Sequence, residues 1–213
     1  MKHFNYSIIN PIPTEMRLNG RKYRLNLSFN RVIAFYELFK DDNLFSYSDM
    51  IDIAYKWLVK SPKRISIKEK YAVIEKINKE YLIDTRNAEN KKKSRTAVNF
   101  ITDSKYIYAA FRQHYGINLL EYQNKLSWWE FIAMFDSLPG DSKIKEIMYI
   151  RTRNVPDFNG NNLDEIARIK EQQKYYFLPE NWEEIEEEAN DTFERLFETI
   201  ERRYENSKQE VKM

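Results

Sequence analysis

Two histidines, no cysteine and four glycines set the limits of the chemistry open to this chain of 213 residues. A general base needs a partner acid and a cleft that a substrate can reach. His114 has no Ser, Asp or Glu at a triad-like spacing, and it falls on the apolar face of a helical pattern just before Gly116. It therefore reads as a satisfied, partly buried ring or as a cation at a helix C-terminus. His3 stands at the chain start and is given no role. Without cysteine there is no disulfide, thiolate zinc site, iron–sulfur cluster or cysteine nucleophile. The glycines are far apart, so neither a P-loop nor a dinucleotide-binding fingerprint is present. No cofactor, metal or catalytic residue is expected.

Three other groupings deserve weighing. Glu183, Glu184, Glu186, Glu187, Glu188 and Asp191 are dense enough to attract a divalent cation, but they lack the glycine-bent loop and alternating ligands of a calcium site. They read as a solvated acidic helix face or a protein-binding surface. Lys91, Lys92, Lys93 and Arg95 are the nucleic-acid candidate, since phosphate contacts need clustered Lys and Arg. Single-strand binding also needs exposed aromatics, and most aromatics here fall on stripes that look like core. Nucleic acid is therefore the second choice of partner. Trp128 and Trp129 lie about 100° apart on a helix. Either one fills the core and the other anchors an interface from its rim, or both are core.

Charge is distributed unevenly. The whole chain carries 35 basic and 33 acidic residues, net +2. From Glu180 to Met213 there are 12 acidic and 5 basic residues, net −7, which leaves +9 on the remainder. A basic body with an acidic end suggests an electrostatic partner, or the protein's own tail. No apolar run reaches the length of a membrane span or a signal peptide, so a cytoplasmic protein is expected.

The elements that must hold these residues are mainly helical. Asn19-Gly20 between alternating flanks predicts a type I′ hairpin, with Met16, Leu18, Tyr23, Leu25 and Leu27 as its buried face. Ser28 starts a helix with Phe29, Val32, Ile33, Tyr36 and Phe39 on one stripe. A second helix begins near Ser48, and a third has a capping box at Ser66 and Glu69. Further on, Ile107, Ala110 and Phe111 share a face, and Gly116 suits a left-handed C-cap. Ser127 and Glu130 make a second capping box. Trp128, Phe131, Ile132 and Phe135 are expected to form core with Ile107, Phe111 and Ile147. The expected organisation is a hairpin plus three helices over 1–83 and a basic polar linker over 84–101. A helical motif region over 102–178 and an acidic C-terminal helix over 179–213 follow, unless all four make one continuous domain. The fold class is thus mainly α: a helical body, one small N-terminal β-hairpin and a long acidic helix.

One stretch is more specific. Tyr106-Ile107-Tyr108-Ala109-Ala110-Phe111 leads into Tyr115-Gly116-Ile117-Asn118-Leu119, then Leu126-Ser127-Trp128-Trp129-Glu130-Phe131, and later Ile150-Arg151. This pattern resembles the bacteriophage "gene product fifteen" family of siphophage and prophage tail-region proteins. Asn118, Ser127 and Glu130 stand where that family usually has Asp, His and Lys. With the hairpin and first helix, the resemblance spans Leu18 to Leu178.

The resemblance implies a tail assembly chaperone: a non-enzymatic factor in the host bacterial cytoplasm. Its implied partners are the tape measure protein, the major tail protein or another phage assembly chaperone. It implies no catalytic residue. Tyr106, Ile107, Phe111, Tyr115, Gly116, Trp128, Trp129, Phe131 and Arg151 are the fold and interaction motif. Lys91, Lys92, Lys93, Arg95, Glu183, Glu184, Glu187 and Glu188 are the candidate electrostatic surface. The alternative is a phage protein that binds nucleic acid through the basic body.

Overall fold

The hairpin forms where Asn-Gly demands it. In the computed structural model, which describes residues 9, 12–40, 46–82 and 96–178, Asn19 and Gly20 both take positive φ, 49° and 74°. That is the type I′ geometry whose twist matches paired strands. Strands β1 (Glu15–Leu18) and β2 (Arg21–Leu25) pair antiparallel, with Met16 opposite Tyr23. Met16, Tyr23 and Leu25 are buried.

The sheet has one strand more than the expected hairpin. Helix α2 (Tyr47–Leu58) runs directly into β3 (Val59–Lys60), which pairs with β2 through Leu25–Val59 and Arg24–Lys60. The Asn26 N–H extends this pairing to the Leu58 carbonyl at 2.8 Å. A two-stranded ribbon is marginal in water, and the third strand supplies the missing neighbour.

Among the described residues the chain forms two compact units, Met1–Lys92 with Ile107–Leu138, and Lys93–Tyr106 with Pro139–Met213. In the first, α1 (Phe29–Leu38) packs on α2 and on α5 (Trp128–Asp136), and α2 packs on α3 (Ile67–Ile77). A π-helical turn, Asn78–Leu82, follows α3. Helix α1 buries Phe29, Val32 and Phe35, while Ile33 is half-buried and Tyr36 exposed, so the buried stripe steps by three rather than following the expected 29-32-33-36 line. At α3 only half of the expected capping box forms. Ser66 Oγ accepts from Glu69 N at 3.2 Å, but the Glu69 carboxylate turns to Arg21 (2.5 Å) and Tyr23 Oη (3.1 Å). A charged partner from the sheet outcompetes a backbone N–H.

Helix α4 (Ser104–Tyr115) begins within the second unit and continues in the first. It ends at Gly116, whose φ of +67° an L side chain rarely adopts; a Cβ there would touch nothing, so conformation alone selects glycine. The second unit contains α6 (Lys143–Thr152) packed on α7 (Leu163–Tyr175). Ile144, Ile147, Ile150, Ile166 and Ile169 are buried there.

Candidate interaction surface

The motif residues of the first unit are built into its core. Phe131 on α5 is 1% exposed, and its ring stacks with Phe29 at 4.9 Å, Phe111 at 5.2 Å, Trp128 at 6.0 Å and Phe135 at 6.3 Å. Ile107 and Phe111 are buried on α4. Ile132 is only half-buried, and Ile147 is buried in the other unit. Both tryptophans are buried, which decides between the two readings of the pair. Trp129 reaches its polar partner by donating Nε1–H to the Tyr81 carbonyl at 2.9 Å. Tyr115 Oη donates to the Met134 carbonyl at 2.8 Å, tying α4 to α5. The Ser127 box is complete: Glu130 N–H donates to Ser127 Oγ at 3.2 Å and Ser127 N–H to the Glu130 carboxylate at 2.9 Å. His114 is half-buried, and its Nε2 is enclosed without a hydrogen-bond partner, unlike the satisfied ring expected.

In the second unit Arg151 is the organising residue. Its guanidinium donates to both carboxylate oxygens of Asp103, at 2.6 and 2.8 Å, and to the Ala97 carbonyl at 3.0 Å. Its Nε donates to the Tyr176 carbonyl at 2.5 Å. Asp103 also accepts from Asn99 N–H at 3.0 Å, and both members of the pair are buried. A bidentate pair in which each guanidinium nitrogen has an acceptor is the geometry in which burying charge is tolerable. Gln173 adds a second clasp, donating Nε2–H to the Ile150 and Arg153 carbonyls at the end of α6. Tyr106 lies half-buried, with Lys105 Nζ 4.8 Å from its ring centre.

Lys91, Lys92, Lys93, Arg95, Glu183, Glu184, Glu187, Glu188, His3 and the segment 179–213, where an acidic helix is expected, lie outside the described residues. Among the described residues no group of three or more His, Asp or Glu is placed to hold a metal ion, and no helix is long and apolar enough to cross a membrane.

The surface holds a grouping that the sequence pattern did not single out. Tyr47, at the start of α2, is 60% exposed; Ile67 and Tyr71, four apart on α3, are 45% and 43% exposed. The Tyr47 and Tyr71 rings lie 6.5 Å apart. Three large apolar side chains thus face water together. Tyr and Ile at such spacing give contact area at low entropic cost, which suits a protein partner. The sequence carried no such signal: Ile67 and Tyr71 stand seven and three residues before Ile74, on the same side of α3 by periodicity, and only their exposure separates them from the buried Val73, Ile74 and Ile77.

The architecture is that of a mainly helical protein with a three-stranded antiparallel sheet, whose sequence motif is spent on core and caps. A family model described as bacteriophage Gp15 protein matches residues 8–178, and the chain belongs to that family. No curated protein and no solved structure matches it. The acidic segment from 179 onward lies beyond the matched residues.

Proposed function

We propose that this phage protein is a non-enzymatic tail assembly factor of chaperone type, acting in the host bacterial cytoplasm on the tape measure or major tail protein. The observation that carries the reading is the exposed Tyr47–Ile67–Tyr71 patch in a chain of this family. Reversible holding requires apolar surface that is wet in the free protein and covered in the complex. Aromatic anchors concentrate binding energy in few contacts, so such a complex can form and still release. The motif residues act indirectly: Phe131 and its neighbours fix α1 and α5 in the unit that carries the patch.

Co-expression with the tape measure and major tail proteins of the same phage, followed by pull-down at moderate salt, tests the reading. Retention of one of them, lost in a Tyr47→Ser/Tyr71→Ser variant, supports it. If the unaltered protein retains neither, the reading fails.

A further inference from the structure

The solvent face of the three-stranded sheet carries more positive charge than the sheet itself neutralises. Register places Arg17 opposite Lys22, and Arg24 opposite both Glu15 and Lys60, so these five side chains share one face. All are exposed, while Met16, Tyr23, Leu25 and Val59 fill the opposite face. Lys63 joins the group, because a pocket of about 310 Å³ beside β3 is lined by Glu15, Lys22, Arg24, Lys60 and Lys63. Five cations therefore surround one carboxylate. Glu15 meets Lys22 at 2.5 Å and Arg24 at 3.9 Å, while Arg17, Lys60 and Lys63 form no ion pair among the described residues.

Like charges directly opposite on neighbouring strands destabilise a sheet. Here two such pairs occur, Arg17–Lys22 and Arg24–Lys60. An anion bound between them would relieve both. We propose that this face is a docking site for a carboxylate-rich segment of a partner protein, whose acidic side chains pair with Arg24, Lys60 and Lys63.

Glu15 shows how a carboxylate sits on this face. Lys22, with Arg24 and Arg17 beside it, holds its carboxyl below the ordinary range. The tyrosines that line the pocket, Tyr23 and Tyr55, are 3% and 1% exposed and present no ring for base stacking. Their hydroxyls are also engaged: Tyr23 donates to Glu69, and Tyr55 accepts from Lys63 N–H. Carboxylates are thus the better match. The site shares no residue with the Tyr47–Tyr71 patch and does not depend on the identity of a tail partner.

The test uses the full chain and a fluorescent oligoglutamate peptide, a carboxylate-rich probe that is not a segment of this chain. The peptide should bind at about 50 mM salt and weaken roughly tenfold by about 300 mM, as screening removes exposed ion pairs. A Lys60→Glu/Lys63→Glu variant, shown to be folded by circular dichroism, should bind about tenfold more weakly. The peptide with every Glu replaced by Gln should not bind. Equal binding by the variant, no binding by the unaltered protein, or preference for oligothymidylate or inorganic phosphate over the peptide would each overturn the proposal.

Discussion

Ser28 and Ser127 lie opposite each other in an antiparallel bridge of a single residue pair, and through it two helix N-termini cap one another. Phe29 N–H, the first donor of α1, reaches the Leu126 carbonyl at 3.1 Å; Trp128 N–H, the first donor of α5, reaches the Leu27 carbonyl at 2.7 Å. Helix starts leave such donors without intrahelical partners. Here each start borrows a carbonyl from the residue preceding the other's N-cap. Asn30 and Arg31 extend the seam to Asn124, through Asn124 N–H to Asn30 Oδ1 at 2.9 Å and Arg31 Nε to Asn124 Oδ1 at 3.1 Å. Elements about a hundred residues apart in sequence are therefore registered by backbone as well as by the Phe29–Phe131 stack.

The two serines differ in their side chains, and this gives the first prediction. Ser127 Oγ caps its helix, whereas Ser28 Oγ donates to Asn26 Oδ1 instead. Ser127→Ala should cost about 1 kcal/mol in a urea titration, while Ser127→Asn, which still caps, should cost less. Because Glu130 belongs to the same box, Ser127→Ala/Glu130→Ala should cost less than the sum of the single changes. Full additivity would mean that the box does not act as a unit.

Phe131 touches four other rings among the described residues, so its removal opens a void lined by aromatic side chains. Phe131→Ala and Phe111→Ala should each lower stability by about 3–5 kcal/mol. A cycle pairing Phe131 with Phe29 should show coupling of about 0.5–1.5 kcal/mol. Losses under about 1 kcal/mol would show that the rings are not structural core.

The Asp103–Arg151 pair predicts an asymmetry. Asp103→Asn or Arg151→Met alone leaves one buried charge without its partner and should cost about 3–5 kcal/mol. Asp103→Leu/Arg151→Met together should recover part of that loss, because no lone charge remains. A double variant as unstable as the sum of the singles would show that the Ala97 and Tyr176 carbonyl contacts, not the ion pair, carry the stability.

Local rules made much of this structure legible. Asn19-Gly20, Gly116 and the Ser127–Glu130 box each encode a backbone state within a few residues, and each forms as the sequence suggests. The aromatic core was visible as a stripe on α4 and α5. Strand β3 was not, because two residues carry no alternation and their partner β2 lies over thirty residues away. The Arg151 node was half visible: an arginine on an isoleucine stripe implies a buried partner, but nothing local points to Asp103. At Ser66 the local rule was right for the serine and wrong for Glu69, because Arg21 arrives only with the folded sheet. The basic sheet face was hidden for the same reason, since Lys60 and Lys63 meet Lys22 and Arg24 only through β3.

The last prediction concerns alkaline pH. In the first unit, burial raises the Tyr23, Tyr55 and Tyr81 hydroxyls above their ordinary range, and it pushes Tyr36 up to about 12. Tyr36 is 37% exposed, and its hydroxyl donates to Asn78 Oδ1 at 3.3 Å. An unfolded tyrosine ionises near pH 10. Below that pH both states keep the proton and the raised values cost nothing. Above it the unfolded chain loses protons that the folded chain retains, so stability falls as pH rises. The window for Tyr36 runs from about pH 10 to about 12, and the loss is complete once the folded phenol also ionises. Urea midpoints measured across that range should therefore decline, with phenolate absorbance rising late in the folded protein. Lysines also titrate there, so Tyr36→Phe isolates the tyrosine share: it keeps the ring, removes the proton and should flatten part of the decline. If the variant declines as steeply as the unaltered protein, Tyr36 ionises near its ordinary value and its hydroxyl is not held away from water.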